Sequence, residues 1–238
     1  MSPFYIGLSL LSNDVGPYGN RPLSNRTLHD EGRRILSLLD GTSLSSTSPI
    51  HTEEGGRPYF GDRHADFSIS HSERAAAATY YAGDSQNTAV RVGCDIQQVH
   101  PAKNREGIAR RFFSLPEQKY IAAGAGSRER INRFYHIWVL KESYLKAKGL
   151  AVWGMEQVPS FAAENSPHHL GGPGCEMGMS FFLYELGDDR ADFFMLAVCL
   201  PFSFRPVIRW FSAESLPETS IAEINAVVSP EKTVSPKM

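Results

Sequence analysis

Three cysteines in 238 residues leave little room for disulfide or thiolate-metal chemistry. Cys94, Cys175 and Cys199 are odd in number and far apart, so they form neither a disulfide framework nor a zinc motif. They read as small buried apolar residues of a reducing compartment. His168 and His169 adjoin in a loop-like stretch without partners at ligand spacing. No Walker loop, Gly-x-Gly-x-x-Gly or Gly-x-Ser-x-Gly elbow occurs, which removes the commonest nucleotide and hydrolase signatures. Excess positive charge is also absent. A net charge of −2 gives no reason to expect nucleic acid or an anionic membrane as partner. The apolar opening stretch lacks a basic n-region and is too short for a span, so it reads as the first strand of a cytoplasmic protein.

What is present suits an ordinary soluble globular chain. Hydrophobic residues at 42% and charged residues at 21% allow a sizeable core, in one large domain or two small ones. The most informative stretch runs from Phe134 to Gly149, without proline and with its only glycine at the end, as in a helix stopped by a C-terminal Gly. Wound at ~100° per residue, its apolar side chains cover most of the circumference, the mark of a helix buried on nearly all sides. Glu142 falls among Ile131, Tyr135, Trp138 and Leu145, with Lys146 one turn on. An ordinary i,i+4 ion pair on a solvated face would account for Glu142 and Lys146. The arc around them is not polar, however, and a buried carboxylate calls for a cation, a metal or dense hydrogen bonding.

The rest of the chain supplies candidates. Residues 3–11 predict a strand, 12–22 a loop, and Ser24 or Asn25 caps a helix to about Leu39. A long loop over 41–58 ends in Gly55-Gly56-Arg57-Pro58, and loops of that length are often functional. Asp66–Ser72 alternates like a half-buried strand and pairs as a hairpin with Ala75–Tyr81. In the next strand Val90, Val92, Cys94 and Ile96 face one way, and Arg91, Gly93, Asp95 and Gln97 the other. Gly93 there lets backbone or ligand come close. Ser114, Pro116 and Glu117 form a helix-start signature. Strands follow at 176–186, 192–199 and 206–212, and the chain turns polar from about Glu214. Strand, helix and hairpin recur on each side of residue 95, which hints at two similar halves. We divide the chain at 1–88, 89–213 and a disordered tail over 214–238.

Residues 103–133 carry eight Lys or Arg against three acids. This is either a solvated helical face or a docking surface for an acidic macromolecule. Asp95, Gln97 and Glu142 are the natural hard-oxygen set for a divalent cation such as magnesium, which keeps waters and substrate phosphates in its shell.

Four motifs in order, Phe67-Ser-Ile-Ser-His-Ser72, Gly93-Cys-Asp-Ile96, Arg111-Phe-Phe-Ser114 with Glu117, and Trp138-Val-Leu-Lys-Glu-Ser-Tyr-Leu-Lys146, resemble the 4'-phosphopantetheinyl transferases. The chain's size and the Gly-Arg-Pro ahead of the Ser-His pair resemble the larger, monomeric Sfp-type branch. The likeness covers about Gly55 to Gly149; the first ~54 residues match poorly.

The resemblance implies an α+β fold of two similar halves related by a pseudo-twofold, and transfer of phosphopantetheine from coenzyme A to a serine of an apo acyl or peptidyl carrier protein, with release of 3',5'-ADP. It implies magnesium, with manganese as the alternative, held by Asp95, Glu142 and Gln97; many members have an acid where this chain has Gln97. Asp95, Glu142 and Lys146 would be catalytic, with Glu142 as base and Lys146 at the leaving phosphate. Gly56, Arg57, Pro58, Ser70, His71, Lys141 and Lys146 would contact coenzyme A, although a structural ion pair serves Lys141 equally. The basic 103–133 region would dock the acidic carrier. Two other classes fit the same residues: a different magnesium-dependent enzyme on phosphate esters, and a non-catalytic homologue that binds coenzyme A or a carrier.

Overall fold

The computed structural model describes residues 4–11, 14–16, 19–21, 23–40, 50–61, 65–82, 91–101, 105–162, 170, 179–187, 193–201, 205–212 and 218–225. The chain runs β1 (Phe4–Leu10), β2 (Asp14–Gly16), β3 (Gly19–Arg21), α1 (Asn25–Asp40), β4 (Ile50–Thr52), β5 (Pro58–Phe60), β6 (Ala65–Ser72) and β7 (Ala75–Ala82). It continues with β8 (Gly93–Gln98), α2 (Arg105–Phe112), α3 (Leu115–Ala122), α4 (Ser127–Lys148), a 3-10 helix (Val152–Gln157), β9 (Met179–Leu186), β10 (Phe194–Pro201), β11 (Pro206–Trp210) and β12 (Glu218–Asn225).

Two four-stranded sheets form, in the orders β11-β1-β7-β6 and β12-β9-β10-β8. In the first, β1 pairs antiparallel with β7, and β7 with β6. The second repeats this, with β8 antiparallel to β10 and β10 to β9. Alternation sorts the side chains into layers. Phe4, Ile6 and Leu8 pack with Val92, Cys94, Ile96, Leu196 and Val198 between the sheets. On the outer faces, Ile35 and Leu36 of α1 cover Phe67, Ala76 and Ala78, while Val139, Leu140 and Ala147 of α4 cover Phe181, Leu183, Met195 and Ala197.

Local chemistry explains the helices. Ser24 Oγ accepts from the Thr27 amide at the start of α1. Ser114 caps α3 in a reciprocal capping box with Glu117. Helix α4 begins earlier than the apolar pattern suggested, at Ser127, and ends at Gly149 in the left-handed region (φ 68°) with its amide directed at the Leu145 and Lys146 carbonyls. Twelve of its 22 residues are buried, as expected of a helix enclosed on nearly all sides. No helix among the described residues is long and apolar enough to cross a membrane.

Three expectations need correction. Strand β11 belongs to the first sheet, parallel to β1, so the boundary at 88/89 is crossed by the chain's return. Residues 218–225, assigned to the disordered tail, form β12 antiparallel to β9; polar composition does not prevent an edge strand from pairing on a buried neighbour. The stretches read as loops at 12–22 and 41–58 contain the β2–β3 pair and β4, which pairs with β5. Cys175, His168, His169 and 226–238 lie outside the described residues.

Gly93 is where β8 meets α4. A Cβ there would stand 2.0 Å from the Ser143 carbonyl oxygen and 2.8 Å from the Ala147 nitrogen, both backbone atoms that cannot swing aside. Gly93→Ala therefore pushes β8 away from α4. We expect a loss of about 3 kcal/mol, seen as a melting temperature lower by on the order of 10 °C.

Candidate active site

One cleft of about 540 Å³ gathers side chains from both sheets and both long helices. Strand β6 contributes Ser70 and His71, β8 contributes Asp95 and Gln97, and α4 contributes Trp138, Glu142 and Lys146. Gly56, Arg57 and Pro58 line it from the turn between β4 and β5. Nearly every residue nominated from sequence therefore converges on one place.

Asp95 sits at its centre, buried beneath α4. Its Oδ1 accepts from Lys146 Nζ at 2.7 Å and Ser70 Oγ at 2.8 Å, and its Oδ2 from Gln97 Nε2 at 3.2 Å. Ser70 in turn accepts from the Ile96 amide. Burial pushes Lys146 toward losing its proton, but the charge and hydrogen bond of Asp95 outweigh this and hold it above the usual lysine range. Burial pushes the Glu142 carboxyl up to about 7, with the charge of Asp95 adding to the rise and Lys146 opposing it. Burial and the charge of Lys146 keep His71 below the usual histidine value.

This donor set fits a divalent cation. Two carboxylates on neighbouring elements, one of them raised by burial and further by the other's charge, present hard oxygens to one space. The Gln97 amide now turns its nitrogen to Asp95, and a flip about its last torsion presents the oxygen instead. No group of three or more His, Cys, Asp or Glu able to hold a metal is found among the described residues. Asp95 and Glu142 are thus two acids in one cleft, fewer than a dedicated all-protein cage supplies.

Two nominated residues behave differently. Lys141 lies outside the cleft lining, fully buried, with Nζ 3.2 Å from Glu117 Oε2. Glu117 also accepts from the Ser114 and Phe161 amides, so this pair joins α3, α4 and the chain after the 3-10 helix. Of the two readings left open for Lys141, the structural ion pair is the one the geometry holds. Arg57, nominated as a nucleotide contact, lines the cleft but donates its guanidinium to protein: to Asp66, the Phe67 and Val92 carbonyls and the Lys146 carbonyl.

The sequence reading missed His29 and Arg33, which line the cleft from the exposed side of α1. Their i,i+4 spacing was visible, but nothing local says that α1 crosses β6 next to the Ser-His pair. The basic region also divides. Arg133 is buried against Glu129 and the Tyr120 carbonyl, and Arg105 donates to the His100 and Pro101 carbonyls. Arg110, Arg111, Lys119, Arg128 and Arg130 remain exposed.

A raised carboxylate is a stability statement with a definite sign. The folded chain binds the Glu142 proton more tightly than the unfolded chain, so this contribution is complete below the ordinary value of 4.5 and lost as pH rises through about 7. At ~1.4 kcal/mol per pH unit the span is up to about 3 kcal/mol. Metal-free wild type should lose stability relative to Glu142→Gln between pH 4.5 and 7.5 in denaturant titrations, and magnesium should restore part of the loss. Parallel curves would remove Glu142 from the buried, Asp95-facing position.

Residues 91–185 match the family model of the 4'-phosphopantetheinyl transferase superfamily. Among curated relatives, the 4'-phosphopantetheinyl transferase HetI of Nostoc sp. is 29% identical over 146 residues, 58% of this chain and 59% of the relative. The 4'-phosphopantetheinyl transferase Sfp of Bacillus subtilis is 37% identical over 99 residues, covering 41% of this chain and 40% of the relative. The 4'-phosphopantetheinyl transferase AcpT of Salmonella typhi is 28% identical over 180 residues, 73% and 81% of the two chains. The chain thus spans three fifths or less of HetI and Sfp. The segment that matches the family model carries Asp95, Gln97, Glu142 and Lys146.

Proposed function

We propose that the chain is an Sfp-type 4'-phosphopantetheinyl transferase, acting on coenzyme A and a serine of an apo acyl or peptidyl carrier protein. The observation that carries this reading is the meeting of Ser70 and His71 in one cleft with Asp95, Glu142 and Lys146, the last three inside the segment matching the family model. The shared order of strand, helix and hairpin in the two sheets favours two halves related by a pseudo-twofold, with the cleft where β6 and β8 approach.

In the reaction, the bond from the serine oxygen to the β-phosphorus forms, the bond from that phosphorus to the bridging oxygen breaks, and 3',5'-ADP leaves. Glu142, with its carboxyl raised to about 7, is poised to accept the serine proton near neutral pH. Lys146 supplies positive charge at the leaving phosphate. Ser70 holds Asp95 in place, while neutral His71 and the backbone at Gly56 and Pro58 face the phosphate and nucleotide parts. His29 and Arg33 add donors on the rim. Asp95, Glu142 and the Gln97 carbonyl would hold magnesium or manganese, which when bound offsets charge on the pyrophosphate. Positioning and charge neutralisation then carry most of the rate.

The carrier would dock on α2, α3 and the start of α4. A groove of about 590 Å³ there is lined by Arg105, Arg110 and Arg130 with Ile121, Ile131 and Phe134, and Leu115 at the start of α3 is 71% exposed. An acidic helix with an apolar face fits such a surface. We place the enzyme in the cytoplasm as a monomer.

Intact-protein mass spectrometry of apo carriers incubated with coenzyme A and magnesium tests the reading. We expect a metal-dependent gain equal to phosphopantetheine, lowered by roughly 10²-fold or more in Glu142→Gln. Near-normal turnover of that variant removes Glu142 from its role, and no gain on any carrier points to a binding module. Gln97→Glu should keep or tighten magnesium binding; a marked loss would place the side chain away from the metal.

A further inference from the structure

We infer that Arg57 is a positioning residue that clamps the C-terminal end of α4, and with it Lys146, to β6 and β8, and that it does not contact the nucleotide. Arg57 is 4% exposed. One arm of its guanidinium, Nη1, donates to the Lys146 carbonyl. The other, Nη2, lies 2.5 Å from Asp66 Oδ2, 3.1 Å from the Val92 carbonyl and 3.3 Å from that of Phe67. One planar fork therefore ties the last turn of α4 to β6 and to the lead-in of β8, the three elements that carry Lys146, Ser70 and Asp95.

The surroundings fit a clamp and not a ligand arm. Asp66 is an end-on partner that also accepts from the Val92 amide at 2.7 Å, so the same carboxylate fixes β8 beside β6. Asp66 does not line the cleft. Arg57 Nε, the remaining guanidinium nitrogen, is buried and has no hydrogen-bond partner among the described residues. The turn bearing Arg57 is pressed on the helix end: a Cβ on Gly55 would stand 2.1 Å from the Gly149 carbonyl oxygen. An ion pair at 3.1 Å between Arg91 and Glu53 closes the other side of the turn. The last carbonyls of a helix lack intrahelical donors. The Lys146 carbonyl, which the Gly149 amide also reaches, takes a second donor from Arg57, and a cation there faces the negative end of the helix dipole. Lysine cannot replace this fork, because its point charge cannot serve several oxygens in one plane.

The test is a cycle of Arg57→Lys, Asp66→Asn and the double variant, read by two methods. The first is thermal unfolding of the ligand-free protein, which does not depend on the reaction proposed above. Each single variant should lower the melting temperature, and the double variant should add little to the larger single effect, as coupled partners do. The second is steady-state transfer kinetics, which rests on the transferase reading. Displacing Lys146 should lower kcat on the order of tenfold to a hundredfold in both single variants, with KM for coenzyme A held within about twofold. A raised KM with kcat retained in Arg57→Lys, while Asp66→Asn leaves KM alone, would overturn the inference in favour of a nucleotide contact. Additive thermal effects would overturn the clamp itself. Absence of transfer by wild type would remove the transferase reading, and the thermal cycle would still decide the clamp.

Discussion

The site depends on how two sheet edges are joined. Strand β6 ends one sheet and β8 ends the other, so each has backbone groups without a strand partner on its outer side. Their junction is made by side chains. Asp66, Ser68, Ser70 and Ser72, every second residue of β6, accept in turn from the amides of Val92, Cys94, Ile96 and Gln98. The spacing of 26 residues holds at each rung. Four buried or half-buried donors thereby find partners, each of which would cost on the order of 1–3 kcal/mol if left unmade. A register slip of one residue would turn all four acceptors away and replace them with Phe67, Ile69 and His71. Asp95 stands between the two central rungs, so the ladder that joins the sheets also aims the central carboxylate.

This arrangement explains why serine recurs in Phe67-Ser-Ile-Ser-His-Ser72. As a strand pattern, apolar against small polar residues was readable as a half-buried face. The actual environment of the serines is not solvent: Ser68 and Ser70 are 4% exposed. A short hydroxyl is suited to an inter-sheet gap, because it accepts from a backbone amide without the volume that would force the edges apart. Ser70 does this and donates to Asp95 as well. Its place in the cleft lining and its role in the ladder are two uses of one hydroxyl.

What was legible in the sequence was mostly local. The enclosed helix ending at Gly149, the capping box at Ser114, the face of β8 bearing Asp95 and Gln97, and the hairpin of β6 and β7 each follow from spacing within a few residues. Long-range pairings were not legible. Nothing in residues 206–210 distinguishes joining β1 from joining the sheet formed just before it, since both offer a half-buried edge. The role of Arg57 was hidden for the same reason, and the choice between the two readings of Lys141 stayed open. A cation near a motif reads as an anion ligand until its carboxylate partner is placed, and Glu117 and Asp66 lie 24 and 9 residues away. His29 and Arg33 needed the crossing of α1 over β6 to be seen.

The charges in the cleft leave a deliberate imbalance. Lys146 offsets Asp95 at 2.7 Å, but no hydrogen bond or ion pair to Glu142 is found among the described residues. Its carboxyl is pushed up to about 7 by burial and by its neighbour's charge. Filling that position with an apolar residue would relieve the repulsion and leave Asp95 and Lys146 as a satisfied pair, which is the more stable choice for a core. Retaining an acid there is costly unless a cation joins it, and an entering cation recovers the cost as binding affinity. In the reading proposed above, the same raised carboxyl is the proton acceptor and the neighbouring Lys146 is the cation for an incoming phosphate. The cost of that acid and the chemistry proposed for it have the same physical origin, a carboxyl buried in the cleft with a second carboxylate beside it.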